Sequence, residues 1–153
     1  MSFLTIHELG NEEAEFEQVL TLEKDILINA IRPYIYKHNS PAGTIRMAIW
    51  KNAAEIAYGE LTSTEMENLD DDLANFDFAH GHMRFDLNRF VRLRKGEYTI
   101  KMSSTGYTFS ESAYFGWVKA HEDIRYSING VSQNAFENPY TVELWRNEDA
   151  KNT

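Results

Sequence analysis

Apolar residues recur at every second position in this chain, in short runs with Gly, Pro, Asn and Ser between them. Ile45, Met47 and Ile49 alternate with Arg46, Ala48 and Trp50. Met83, Phe85 and Leu87 alternate with Arg84 and Asp86, and Tyr98, Ile100 and Met102 with Thr99 and Lys101. Side chains along a strand point alternately to opposite faces, so each run reads as a strand with one face toward a core. Further strands are expected from Phe16 to Leu22, Ile26 to Lys37, Glu55 to Tyr58, Tyr114 to Lys119, Ile124 to Ile128 and Tyr140 to Arg146. Pro33 cannot donate to a ladder, so the long run containing it must be an edge, bend or break there. Turns are expected at His38–Gly43, Lys95–Gly96, Ser103–Gly106 and Asn129–Gly130. The stretch 61–73 reads as a loop or a short helix capped by Ser63 or Thr64, with Met66, Leu69 and Leu73 at helical spacing.

Many short strands with little helix predict an all-β fold, a jelly-roll or β-sandwich of about eight or more antiparallel strands. A length of 153 residues without repeat or linker fits one domain. Its expected parts are an N-terminal arm over 1–15, the sandwich over 16–146 and a polar tail over 147–153. With 24 acidic against 15 basic residues the net charge is −9, which disfavours nucleic acid and anionic membranes as partners. The run Arg89 to Lys95 alternates basic with apolar residues and reads as the solvated face of a strand. There is no cysteine, so disulfides, thiolate metal sites and thiol nucleophiles are all excluded. The first residues lack the basic and apolar segments of a signal peptide, and no apolar run nears the ~20 residues of a membrane span. The expectation is a protein made in the cytoplasm and not secreted by a signal peptide.

From residue 33 onward the pattern is similar to a known class. A long strand leads into Lys37-His38-Asn39-Ser40-Pro41-Ala42-Gly43-Thr44-Ile45, then Met47-Ala48-Ile49-Trp50 and Ile56-Ala57-Tyr58-Gly59-Glu60-Leu61. Downstream, Met83 to Leu87 and Val91-Arg92-Leu93-Arg94-Lys95-Gly96-Glu97-Tyr98-Thr99-Ile100 continue it. These elements resemble the carbohydrate-binding-module-like jelly rolls of phage particles and bacterial surface proteins, across Phe16 to Trp145. The resemblance implies a virion decoration, fibre or glycan-binding module, and bears on fold more than on function.

The residues that could carry chemistry each have a plainer reading. His80 and His82 share a face if extended, and Asp77 or Asp86 could join them around a transition metal; a polar turn at Gly81 is the plainer reading. Asp70 and Asp72, with Asp71, Glu65 and Glu67 beside them, offer the oxygens calcium takes, but no EF-hand spacing is present and a solvated acidic loop suffices. No nucleophile elbow, phosphate loop or dinucleotide fingerprint occurs, so the chain is read as a non-enzyme needing no cofactor.

Aromatic residues carry more weight. Trp50, Tyr58, Trp117 and Trp145 lie in expected strands, where exposed rings would stack on sugars or meet a neighbouring subunit and buried ones would fill the core. Tyr114-Phe115-Gly116-Trp117 places large residues on both faces of one strand, as in a fully covered central strand or one with a face against a partner. Phe3, Leu4, Ile6 and Leu9 give the arm apolar groups suited to anchoring on a subunit or particle, the competing arrangement being an extra strand on the same sandwich. The expectation is a structural virion protein of a tailed phage, a capsid decoration or other particle-surface component assembled in the host cytoplasm. Its partners would be the major capsid or other virion proteins and further copies of itself; the alternative is a glycan-binding adhesion module.

Overall fold

The computed structural model describes residues 4–10, 14–33, 35–66, 84–120, 125–128, 131–135 and 142–145. Among them lie twelve strands: β1 Leu4–Glu8, β2 Phe16–Leu22, β3 Ile26–Pro33, β4 Ile35–His38, β5 Thr44–Lys51, β6 Ala54–Thr62, β7 Phe85–Leu93, β8 Gly96–Thr105, β9 Tyr114–Ala120, β10 Arg125–Ile128, β11 Val131–Ala135 and β12 Val142–Trp145. They form a four-stranded sheet β2-β8-β5-β6, a five-stranded sheet β11-β10-β12-β3-β7 and a three-stranded sheet β1-β9-β4. Pairing is antiparallel except between β10 and β12, which run parallel, a departure from the all-antiparallel expectation. β8 continues to Thr105, through part of the turn expected at 103–106.

One core serves all three sheets. Leu20, Ile45, Met47, Ile49, Ile100 and Met102 come from the four-stranded sheet. Ile28, Ile31, Phe85, Val91 and Leu144 meet them from the five-stranded sheet, and Ile35, Phe115 and Trp117 from the three-stranded one. This is an all-β single domain of sandwich type. The alternation is plainest in β2, where Phe16, Gln18, Leu20 and Leu22 are buried and the residues between them exposed. It extends through the basic run, with Val91 and Leu93 buried and Arg92 and Arg94 exposed.

Pro33 marks where a run changes partners. β3 pairs with β12 and β7, whereas β4, one residue beyond, pairs with β9. A residue without an N–H suits such a junction, because the ladder on one side ends there.

The sandwich is closed between β6 and β7, the facing edges of two sheets. Asn88 Oδ1 accepts from the Tyr58 N–H at 3.0 Å, and the Arg89 guanidinium donates to the Ile56 carbonyl at 2.8 and 3.2 Å. Side chains of one edge thus satisfy backbone groups of the other. Gly59 makes the approach possible: a Cβ there would lie 2.5 Å from the Asp86 carbonyl oxygen.

After β6 a single 3-10 turn spans Ser63–Glu65, with Thr62 as its N-cap instead of Ser63 or Thr64. The Glu65 carboxylate accepts from the Thr62 N–H at 2.9 Å and from its hydroxyl at 2.8 Å. These bonds, the backbone one foremost, hold the Glu65 carboxyl below its usual value of 4.5. Lys37, buried on β4, donates its ammonium to the carbonyls of Ser63 and Met66. A buried charge is tolerated when it is hydrogen-bonded in this way.

The N-terminal residues correct the anchoring-arm expectation. β1 pairs antiparallel with β9 from Leu4↔Ala120 to Glu8↔Gly116, so this stretch is an added strand of the chain's own sandwich. Leu9 is fully buried; its N–H donates to the Phe115 carbonyl at 2.8 Å, and its carbonyl accepts from the Tyr107 hydroxyl at 2.7 Å. Leu9 is therefore a core residue and cannot anchor to a particle. Phe3 and the tail lie outside the described residues.

Two substitutions check this fold. Leu9→Ala should cost about 2–5 kcal/mol, as for other buried leucines. Gly59→Ala should cost about 1–3 kcal/mol, because backbone on β7 must retreat. Both are read from the urea midpoint at unchanged m-value; an unshifted midpoint would place Leu9 outside the core or leave the β6–β7 approach without consequence.

Candidate binding face

The outer face of the four-stranded sheet gathers Trp50 and Tyr58, two of the four aromatics singled out in the sequence. Register sets their surroundings. One cross-strand row runs Glu17, Lys101, Ala48, Tyr58 through β2, β8, β5 and β6. The next runs Val19, Thr99, Trp50, and a bulge after Ile49 then brings Glu55 opposite Trp50. A third runs Ser103, Arg46, Glu60. Ala48 sits in the middle with only 3% of its surface exposed, although it points away from the core. Its longer neighbours close over it.

Each ring carries a cation. The Lys101 ammonium lies 4.1 Å from the Trp50 ring centre, and the Arg46 guanidinium carbon 3.7 Å from that of Tyr58. Carboxylates hold the cations in place. Glu17 lies 3.3 Å and Glu15 4.0 Å from Lys101. Arg46 is forked onto Glu55 through Nη2 at 2.8 Å and Nε at 3.3 Å, with Glu60 at 3.7 Å. Such forked pairs fix orientation as well as charge, and the cation–ring contacts add about 0.5–1 kcal/mol each at this exposure. The result is a preorganised layer of flat groups and hydrogen-bonding heads on a rigid sheet.

A second aromatic group lies where the three-stranded sheet meets the 107–114 connection. His38 and Tyr114 are cross-strand partners with ring centres 5.0 Å apart; Tyr36 lies 6.0 Å from Tyr114, and Phe109 5.6 Å. Burial, and to a smaller degree the Glu8 charge, raises the Tyr114 hydroxyl above its usual value. Tyr36 and His38 share a face at a spacing of two, but nothing in the sequence joins them to Tyr114 until the register is known.

Trp117 is not part of any surface. It is fully buried, on the same face of β9 as Phe115, and β9 is the central strand of its sheet. That excludes it as a glycan- or partner-binding aromatic. Trp145 lies on β12 in register with Ala30, and its side chain is outside the described residues. Leu4 and Ile6 are β1 positions opposite Ala120 and Val118. Asp70, Asp72, His80 and His82 lie outside the described residues. Among those described, no three His, Asp or Glu side chains are placed to hold a metal, and no helix is long and apolar enough to cross a membrane. Sequence reasoning missed Arg46, Lys101 and Glu55, whose roles come from cross-strand register and the bulge.

Compared with protein-family models, curated proteins and solved structures, the chain matches none.

The coupling within this layer is measurable. A double-mutant cycle with Lys101→Met and Trp50→Leu should give about 0.5–1 kcal/mol of interaction from urea unfolding. Additive losses would mean that the ammonium and the ring are merely adjacent.

Proposed function

We propose that this protein is a structural component of a tailed-phage particle, a jelly-roll decoration or other surface subunit that binds its partner through the outer face of the four-stranded sheet. The observation carrying the binding role is the layer built from Trp50, Tyr58, Arg46 and Lys101. Trp, Tyr and Arg are the residues that dominate protein–protein interfaces, where they cluster near the centre of the contact. Here they cluster around Ala48. The cations already lying against both rings favour a protein surface over a sugar, which needs an open ring face to stack on. The particle itself is supported by the sequence resemblance. Major capsid or other virion proteins are the partners this reading names.

A glycan-binding adhesion module is the second reading, kept because Trp50 and Tyr58 share one flat, half-exposed face. One set of experiments separates the two. Quantitative mass spectrometry of purified particles should find the chain at a fixed, high copy number. The double variant Arg46→Ala, Trp50→Ala should fold but lose at least tenfold in affinity for particles lacking the protein. Absence from purified particles overturns the proposal. Glycan-array binding that disappears with Trp50→Ala would put the adhesion module in its place.

A further inference from the structure

We infer that the outer face of the four-stranded sheet is addressed to a basic protein surface, one that sets Lys or Arg side chains against its outlying carboxylates and an apolar side chain between Val19 and Trp50. This rests on the reading of that face as the partner-binding one, and it gives the partner a chemistry.

Charge on the face does not balance. Its two ring-bound cations, Arg46 and Lys101, are matched by four carboxylates. One carboxylate engages each cation closely, Glu55 at 2.8 Å from Arg46 and Glu17 at 3.3 Å from Lys101. The other stands off. Glu60 lies 3.7 Å from Arg46 and Glu15 4.0 Å from Lys101, with 40% and 48% of their side chains exposed. A carboxylate offers about four lone-pair sites, so Glu15 and Glu60 keep acceptors that face solvent. Glu97, the next outward residue of β8 beyond Thr99, adds a further negative charge. The chain as a whole carries −9, so its long-range field has the same sign as the face.

Apolar surface accompanies the charge. Val19 is 45% exposed, the one large apolar side chain so exposed among the described residues. It lies in the same cross-strand row as Thr99 and Trp50. The strands bearing Val19 and Trp50 are two spacings apart, ~9.5 Å, and the short Thr99 between them leaves room for one apolar side chain. The same balance argues against other occupants. Two copies meeting face to face would oppose one carboxylate surplus to another, whereas a two-fold contact must be self-complementary. Phosphate-bearing partners are repelled for the same reason. A basic protein surface satisfies the outlying carboxylates and is steered to them by the field.

The test uses the isotope-labelled full chain and the peptide acetyl-Arg-Leu-Arg-amide, with acetyl-Glu-Leu-Glu-amide as its counterpart. The basic peptide should shift the NMR signals of the Trp50 indole and the Val19 amide saturably, and the acidic one should leave them in place. Glu15→Gln with Glu60→Gln keeps Glu17 and Glu55 on the cations, and should weaken that binding roughly threefold or more. Asp86→Asn with Glu111→Gln, exposed carboxylates elsewhere, should not weaken it. Signals that stay in place with the basic peptide, or an equal loss with the second pair, overturn the inference. So do shifts of the same signals with concentration in the chain alone, which would put a second copy on this face. The particle reading fails separately. If the chain is absent from particles while the peptide maps to this face, only that reading falls. If Arg46→Ala, Trp50→Ala loses particle binding while Glu15→Gln, Glu60→Gln keeps it unchanged, only the inference falls.

Discussion

Pairing of β5 with β8, at the centre of the four-stranded sheet, sets both what is buried and what is displayed. In this register Met47 lies opposite Met102 and Ile49 opposite Ile100 on the core side. The same register lays Ala48 beside Lys101 and Trp50 beside Thr99 on the other. Strand side chains have a period of two, so a slip by one residue would expose the methionines and isoleucines and bury a lysine and an arginine. Apolar burial at about 25 cal/mol per Å² makes that exchange prohibitive. The outer face proposed for binding thus follows from the same alternation that builds the core. Its position is enforced by the residues it does not contain.

Sheets that do not curl into a barrel leave edges, and this chain deals with them unequally. The facing edges of β6 and β7 are joined by side chains instead of a ladder, with Gly59 permitting the contact. The break at Pro33 lets one run of sequence serve two sheets, and β9 then accepts β1 on its far side. Tyr107 ties this corner together: its hydroxyl donates to the Leu9 carbonyl and accepts the Phe115 N–H at 3.2 Å. Burial, the largest influence on that phenol, raises its pKa and keeps it a donor through the neutral range.

Much of this fold was legible in the sequence because period-two alternation is a local signal. The strands at Phe16–Leu22, Thr44–Lys51 and Tyr114–Ala120 fall where the pattern places them, and Pro33 marks a real discontinuity. Non-local pairing was not legible. β11 and the parallel pairing of β10 with β12 carry no distinctive pattern in Val131–Ala135, a short and mostly polar strand. The apolar residues near the N-terminus suggest an anchor because their partners on β9 are more than a hundred residues away. Trp50 and Trp117 both sit in alternating strands. Only the facing sheet decides that one is a surface group and the other the largest side chain of the core. The candidate face was half legible: its aromatics were, but the cations upon them required the register.

The seam between β6 and β7 distributes evolutionary constraint unevenly. On the β6 side, Ile56 gives a carbonyl and Tyr58 an N–H, groups that nearly every residue possesses. On the β7 side the same bonds use the side chains of Asn88 and Arg89, which few substitutions can replace. Neutral drift across the seam should accordingly run one way, with 58 free to follow the needs of the outer face, 56 kept apolar by its packing against the core, and 88 and 89 fixed. Gly59 is the exception on its own strand, since any side chain there meets the Asp86 backbone. The outer face of β6 can thus change at Tyr58 without loosening the closure of the sandwich behind it.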